Sequence, residues 1–303
     1  MNFALPRQVF YCFALVSITF FYSLANSFAR SVENNNPKDS TLRKKEYPLS
    51  TSYISSYNMP VPYLMARKAM AIKELPPKLP TIDYGAKLPR TMHMLSNSSL
   101  QNREQIKILF FGQSIIAPPY VREAIENDLR SRFPEAELII EHDAIGGFFA
   151  QRLVKTAHHM IYPRYPDLVV MHAYSGEFGD FEQMIKDIQT YTTAEILTWT
   201  HHMDNISAET DADREFGSQV RRELANEYGF EIAEVREEWK DYLELHNEDR
   251  SNLLLSDQLH LNNDGGDLLG ALLTRYFENP GADPSSWQDK IRNVQLPQLS
   301  NLG

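Results

Sequence analysis

The chain has 303 residues, 43% of them hydrophobic and 11% aromatic, with a formal charge of −10. That is enough apolar material for a sizeable core in one or two domains, and one catalytic domain with appendages is expected. The acidic balance, without a long basic run or an aromatic-plus-basic stripe, argues against a nucleic-acid partner, since phosphate recognition needs clustered Lys and Arg.

In residues 1–29, Arg7 precedes an apolar run over 9–24, and the small residues Ala25 and Ala29 offer cleavage points. This pattern predicts an export signal and a secreted or periplasmic protein. The run is also at the lower length limit for crossing a bilayer, so an uncleaved, outward-facing anchor is the alternative and the one route to a membrane contact. The single cysteine, Cys12, lies inside the run. A mature chain would hold none, which removes disulfides, Cys-ligated zinc and thiol catalysis.

Residues 30–59 are polar, carry Pro37 and Pro48, and lack the apolar surface needed to offset ordering entropy; they read as a linker. Residues 60–104 hold scattered prolines, among them Pro76, Pro77, Pro80 and Pro89, and predict an extended strap on the main domain. Asn97 and Asn205 each begin a glycosylation acceptor triplet, relevant only in a eukaryotic secretory route.

The catalytic domain is expected over 105–280, where strand and helix patterns alternate. Apolar runs at 106–111, 138–140, 168–171, 196–199 and 230–235 have the texture of parallel strands buried on both faces. Helix-period segments fall at 120–132, 148–160, 180–191, 213–228 and 265–277. These elements predict a three-layer α/β/α fold, a doubly wound parallel sheet in flavodoxin-like order, with ligands beyond the carboxyl ends of the strands. Residues 281–303 read as a surface tail.

Ser114 follows the first strand and Gly112, the kind of turn that presents a hydroxyl at a sheet edge. Serine Oγ is a weak nucleophile that needs a base within hydrogen-bonding distance. His260 can take the proton and return it to the leaving alkoxide, while Asp257, three residues earlier, orients the ring and stabilises the imidazolium. The oxyanion that forms needs preorganised donors, for which the N–H groups of Ser114 and Gly147 are placed in principle. No cofactor is required.

Over about residues 106–278 these pieces resemble the SGNH (GDSL-like) hydrolases, whose four blocks occur here in order. The first is Phe111-Gly112-Gln113-Ser114, with Gln113 where the family usually has Asp. The second, Ala144-Ile145-Gly146-Gly147-Phe148, makes Gly147 the implied oxyanion-hole glycine. The last, Asp257-Gln258-Leu259-His260-Leu261-Asn262 followed by Gly265, is the most specific. The third departs: Asp167-Leu168-Val169-Val170-Met171-His172-Ala173-Tyr174-Ser175-Gly176-Glu177 contains no asparagine, so the usual third oxyanion donor is missing or replaced by His172, Tyr174 or Ser175.

Gly146 and His202 are further candidates for substrate contact. His201, His202 and Asp204 invite a zinc reading, but adjacent histidines at a strand end point to opposite sides, so no metal site is expected. His158 and His159 are expected to be partly exposed structural residues, and the Leu268, Leu269, Leu272, Leu273 and Tyr276 stripe to be core. The family resemblance implies an esterase acting on O-acetyl groups of a carbohydrate, since outward-facing members often deacetylate polysaccharides. The alternatives are an O-acetyltransferase using the same triad and a noncatalytic carbohydrate-binding relative.

Overall fold

The computed structural model describes residues 73–174 and 178–278. The expectations for residues 1–29, 30–59 and 281–303, for the first part of the strap and for Ser175 lie outside the described residues.

Five parallel strands form one sheet in the order β2-β1-β3-β4-β5, the flavodoxin-like order expected. They are β1 Gln105–Gly112, β2 Glu137–Ala144, β3 Leu168–His172, β4 Glu195–Trp199 and β5 Glu231–Ala233. The sheet is buried on both faces because each inner strand alternates its side chains between two cores. Ile106, Ile108 and Phe110 of β1 enter one cluster, while Leu109 and Phe111 enter the other. Helices α2 Tyr120–Arg132, α6 Val235–His246 and α7 Asn263–Thr274 cover the first face. Helices α3 Ala150–Met160, α4 Phe178–Tyr191 and α5 Ala208–Tyr228 cover the second.

Several expectations are corrected. The strap is not extended throughout, because residues Pro89–Asn97 form a helix, α1. Pro89 suits its first turn. The Leu88 side chain gives no cap, and instead the Glu195 carboxylate accepts from the N–H groups of Arg90 and Thr91, each at 2.8 Å. The last predicted strand is shorter than the apolar run 230–235, since Val235 already opens α6. That helix was not anticipated, although Val235, Trp239 and Tyr242 make a buried stripe at helical spacing. Strand β2 runs on to Ala144 because it lies at the sheet edge, where Glu141 can face outward towards Arg164 at 3.5 Å. Helix α5 starts at Ala208, capped by the Ser207 hydroxyl. Helix α3 starts at Ala150, after the extended residue Phe149.

Candidate active site

Gly112, at the end of β1, is paired in register with His172 at the end of β3. A Cβ there would lie 2.2 Å from the His172 carbonyl oxygen, and φ is +157°, so the two strands approach this closely only with glycine. The next turn is tight: the Gln113 carbonyl accepts from the N–H groups of Ile116 and Ala117, both at 3.0 Å. Ser114 stands half-buried at its crest.

The opposing loop lies between a short 3₁₀ turn, Arg250–Leu253, and α7. Leu254 and Leu261 form an antiparallel bridge at its neck, and Leu255 N–H donates to the His260 carbonyl at 2.7 Å. Asn262 caps α7 by accepting from Gly265 N–H at 3.0 Å. Asp257 does not cap that helix. One of its carboxylate oxygens accepts from the N–H groups of Leu259 and His260, both at 3.0 Å, and the other lies 2.6 Å from His260 Nδ1. His260 Nε2 lies 2.9 Å from Ser114 Oγ.

Three side chains distant in sequence thus make one hydrogen-bonded series. Desolvation pushes the Asp257 carboxyl up, but the N–H of His260, its ring and the N–H of Leu259 outweigh this and hold it at about 2. Asp257 is therefore ionised at neutral pH, accepts from Nδ1, and leaves Nε2 as the acceptor facing Ser114. Such an arrangement can take the serine proton as the oxygen attacks an electrophilic carbon.

Gly147 lies beyond the end of β2, which pairs with β1 up to Ala144, and Ile145 N–H donates to the Gly112 carbonyl at 2.9 Å. Its φ of +76° suits glycine, and it and Gly146 are exposed. Neither the Ser114 nor the Gly147 N–H has an acceptor among the described residues, so both remain available as donors on the same sheet edge.

The segment after β4 braces the loop that carries His260. His202 Nε2 donates to the Leu259 carbonyl at 2.9 Å, and Asn205 donates to Gln258 through its backbone, at 2.9 Å, and through its side chain, at 3.0 Å. Burial lowers the His202 pKa to about 4, so the ring is neutral. The expectation of a substrate contact is corrected for His202 and for His172, since both rings are enclosed. Tyr174 is nearly so, and burial holds its phenol protonated well above the ordinary value. His202 supports the site through the Leu259 carbonyl and His172 through Gln113, its Nδ1 lying 3.1 Å from the Gln113 amide.

His201 and His202 diverge, as their alternation demands. His201 Nε2 accepts from Arg221 at 2.7 Å and its ring stacks on Tyr174, while Asp204 accepts from Arg214 at 2.9 Å. Among the described residues no group of three His, Cys, Asp or Glu side chains could hold a metal ion, and no helix is long and apolar enough to cross a membrane. His158 and His159 are exposed, His158 packing its ring edge against Tyr162. Two contributors went unrecognised in the sequence. Gln113, whose adjacency to Ser114 was the available signal, touches Oγ at 2.6 Å. Asn205, read only as a glycosylation acceptor, had no local signal for its bracing contact.

No family model and no curated protein matches this chain by sequence. Solved structures do match by fold. An α/β hydrolase from the metagenome of Lake Arreo, Spain, aligns with 61% of this chain and 100% of its own, at 16% identity and a TM-score of 0.50. An acetylxylan esterase from Geobacillus stearothermophilus aligns with 57% of this chain and 94% of its own, at 16% identity and a TM-score of 0.50. A catalytic mutant of the same esterase reaches 0.51 at 15% identity over the same shares. The chain thus shares its fold with these solved hydrolases: a five-stranded parallel sheet between two helical layers.

Proposed function

We propose that this chain is a serine esterase that removes acyl groups, foremost O-acetyl groups of a carbohydrate, through an acyl-enzyme intermediate. The observation that carries the reading is the series Ser114 Oγ to His260 Nε2, 2.9 Å, and His260 Nδ1 to Asp257, 2.6 Å. Ser114 Oγ attacks the ester carbonyl as its proton passes to Nε2. The N–H groups of Ser114 and Gly147 are the donors offered to the oxyanion. The imidazolium, held by Asp257, then protonates the departing sugar oxygen, and water repeats the sequence in reverse to release the acid. Preference for an acetyl ester of a carbohydrate draws on the fold shared with an acetylxylan esterase, an analogy of fold rather than of site. The apolar run at residues 9–24 supports an exported enzyme, cleaved or anchored.

A fluorophosphonate probe tests the nucleophile without the natural substrate. Wild-type protein should be labelled and should hydrolyse p-nitrophenyl acetate, while Ser114→Ala should do neither and should melt at the wild-type temperature. Labelling that persists in the variant would take Ser114 out of the mechanism. Adding sugar acceptors to the hydrolysis assay separates a transferase, which would form acetylated sugar, from an esterase, which would form acetate.

A further inference from the structure

Ser114 has a second polar neighbour besides His260, and that neighbour is backed by a buried imidazole. Gln113 is 2% exposed. Its Oε1 lies 2.6 Å from Ser114 Oγ and 3.3 Å from Ile115 N, while its Nε2 lies 3.1 Å from His172 Nδ1. The backbone N–H of Ile115 can only donate, so the end of the carboxamide facing it and Ser114 must be the oxygen. The amino end then donates to His172, which requires Nδ1 to be bare and the ring hydrogen to sit on Nε2.

The surroundings of His172 keep its ring uncharged and its plane fixed. Its ring is fully buried, stacks on Trp199 with centroids 4.8 Å apart, and meets the edges of Tyr174 and His201 at 5.1 and 5.5 Å. Burial, reinforced by the positive charges of Arg221 and Arg214, keeps it uncharged. Arg221 holds the neighbouring groups in place, donating to His201 Nε2 and to the carbonyl of Ala173. Tilting the imidazole plane would break the aromatic packing on three sides.

We infer that Gln113 and His172 form a positioning pair for the nucleophile: His172, accepting from the amino end, and Ile115 N–H, donating to the oxygen, together keep the Gln113 oxygen on Ser114, and that oxygen holds Oγ beside His260. This rests on the esterase reading above. The serine hydroxyl has one hydrogen and two acceptors in reach, Gln113 Oε1 and His260 Nε2. Resting on Oε1, it fixes the rotamer; turning to Nε2, it is transferred as the bond from Oγ to the acyl carbon forms, and Gln113 gains no proton. A reversed carboxamide would donate to Oγ, tie up a lone pair needed for attack, and oppose an N–H to that of Ile115.

The amide also accounts for a departure noted in the sequence. Gln113 stands where the resembled family usually carries Asp, and His172 lies in the block that lacks the usual Asn. A neutral carboxamide can bridge a hydroxyl to an uncharged imidazole acceptor, because it carries one acceptor end and one donor end.

The test compares His172→Leu, which removes the acceptor, with His172→Asn, whose amide oxygen supplies one. With p-nitrophenyl acetate, His172→Leu should lower kcat and the fluorophosphonate labelling rate by about ten- to a hundredfold at nearly constant KM. His172→Asn should recover most of that loss. Equal rates in wild type and His172→Leu, or no recovery in His172→Asn, overturn the inference alone. A wild type that the probe does not label at all overturns the esterase reading and the inference with it. If the leucine variant does not fold, ¹⁵N chemical shifts of histidine-labelled wild type still decide: the hydrogen on Nε2 of His172 supports the pair, and the hydrogen on Nδ1 refutes it.

Discussion

Asp257 is half exposed, with 50% of its side chain open to solvent, and its strength as an orienting group comes from geometry rather than burial. Two backbone N–H groups fix one oxygen, so the other can point only at Nδ1. Asp257→Asn keeps the shape but can present an amide to the ring and favour the wrong tautomer. Its turnover of p-nitrophenyl acetate should drop by about 10⁴-fold, as in triad proteases, with labelling slowed in parallel. A rate within a few-fold of wild type would show that the carboxylate is not the partner of His260. Because hydrogen bonds hold the folded carboxyl at about 2, below its unfolded value, the contact is present above the unfolded pKa and lost only as pH falls towards 2.

At the scale of elements, the sheet is finished differently at its two edges. Loops carrying Ser114, Gly147 and His260 gather at the carboxyl edge. At the amino edge, carboxylates clasp the strap: Glu195 holds the start of α1, and Glu231 accepts from Gly85 and Lys87 N–H at 3.2 and 2.7 Å. Burial raises the Glu231 carboxyl to about 7, although those two N–H groups favour the ionised form. The folded chain then binds a proton that the unfolded chain releases, so this stabilising contribution is complete below about pH 4.5 and lost as pH rises through about 7. In thermal melts from about pH 4 to about pH 8, the advantage of wild type over Glu231→Gln should therefore shrink with rising pH. A constant difference would mean that the clasp does not titrate there.

For the whole molecule, the described part of the strap, from residue 73 on, belongs to the fold rather than lying on it. Leu88, Met92 and Leu95 enter the same core cluster as the β1 side chains and the α7 leucines. Leu88 is fully buried, so Leu88→Ala should lower the free energy of global unfolding by about 2–5 kcal/mol, in one cooperative denaturant transition. If a separate early transition appeared while the main midpoint stayed put, the strap would be an independent appendage.

The layered architecture could be read from the sequence because its signals are local, the strand order followed from the handedness of the crossovers, and Ser114, Asp257 and His260 stood out by the turn after the first strand and the Asp-x-x-His spacing. Continuous apolar runs separated by helical periods define buried parallel strands, and the short spacing from Asp257 to His260 keeps carboxylate and ring on one turn. Helix α6 was obscured because the apolar run 230–235 merges the end of a strand with the first residue of a helix. Helix α1 was hidden because its cap comes from Glu195, about a hundred residues away. Only the tertiary structure decided that Gln113 meets His172, that His202 and Asn205 brace the His260 loop, and that the His172 and His202 rings are enclosed. Those contacts join loops that leave different elements at one sheet edge, where the partner is set by packing and register and leaves no periodic trace along the chain.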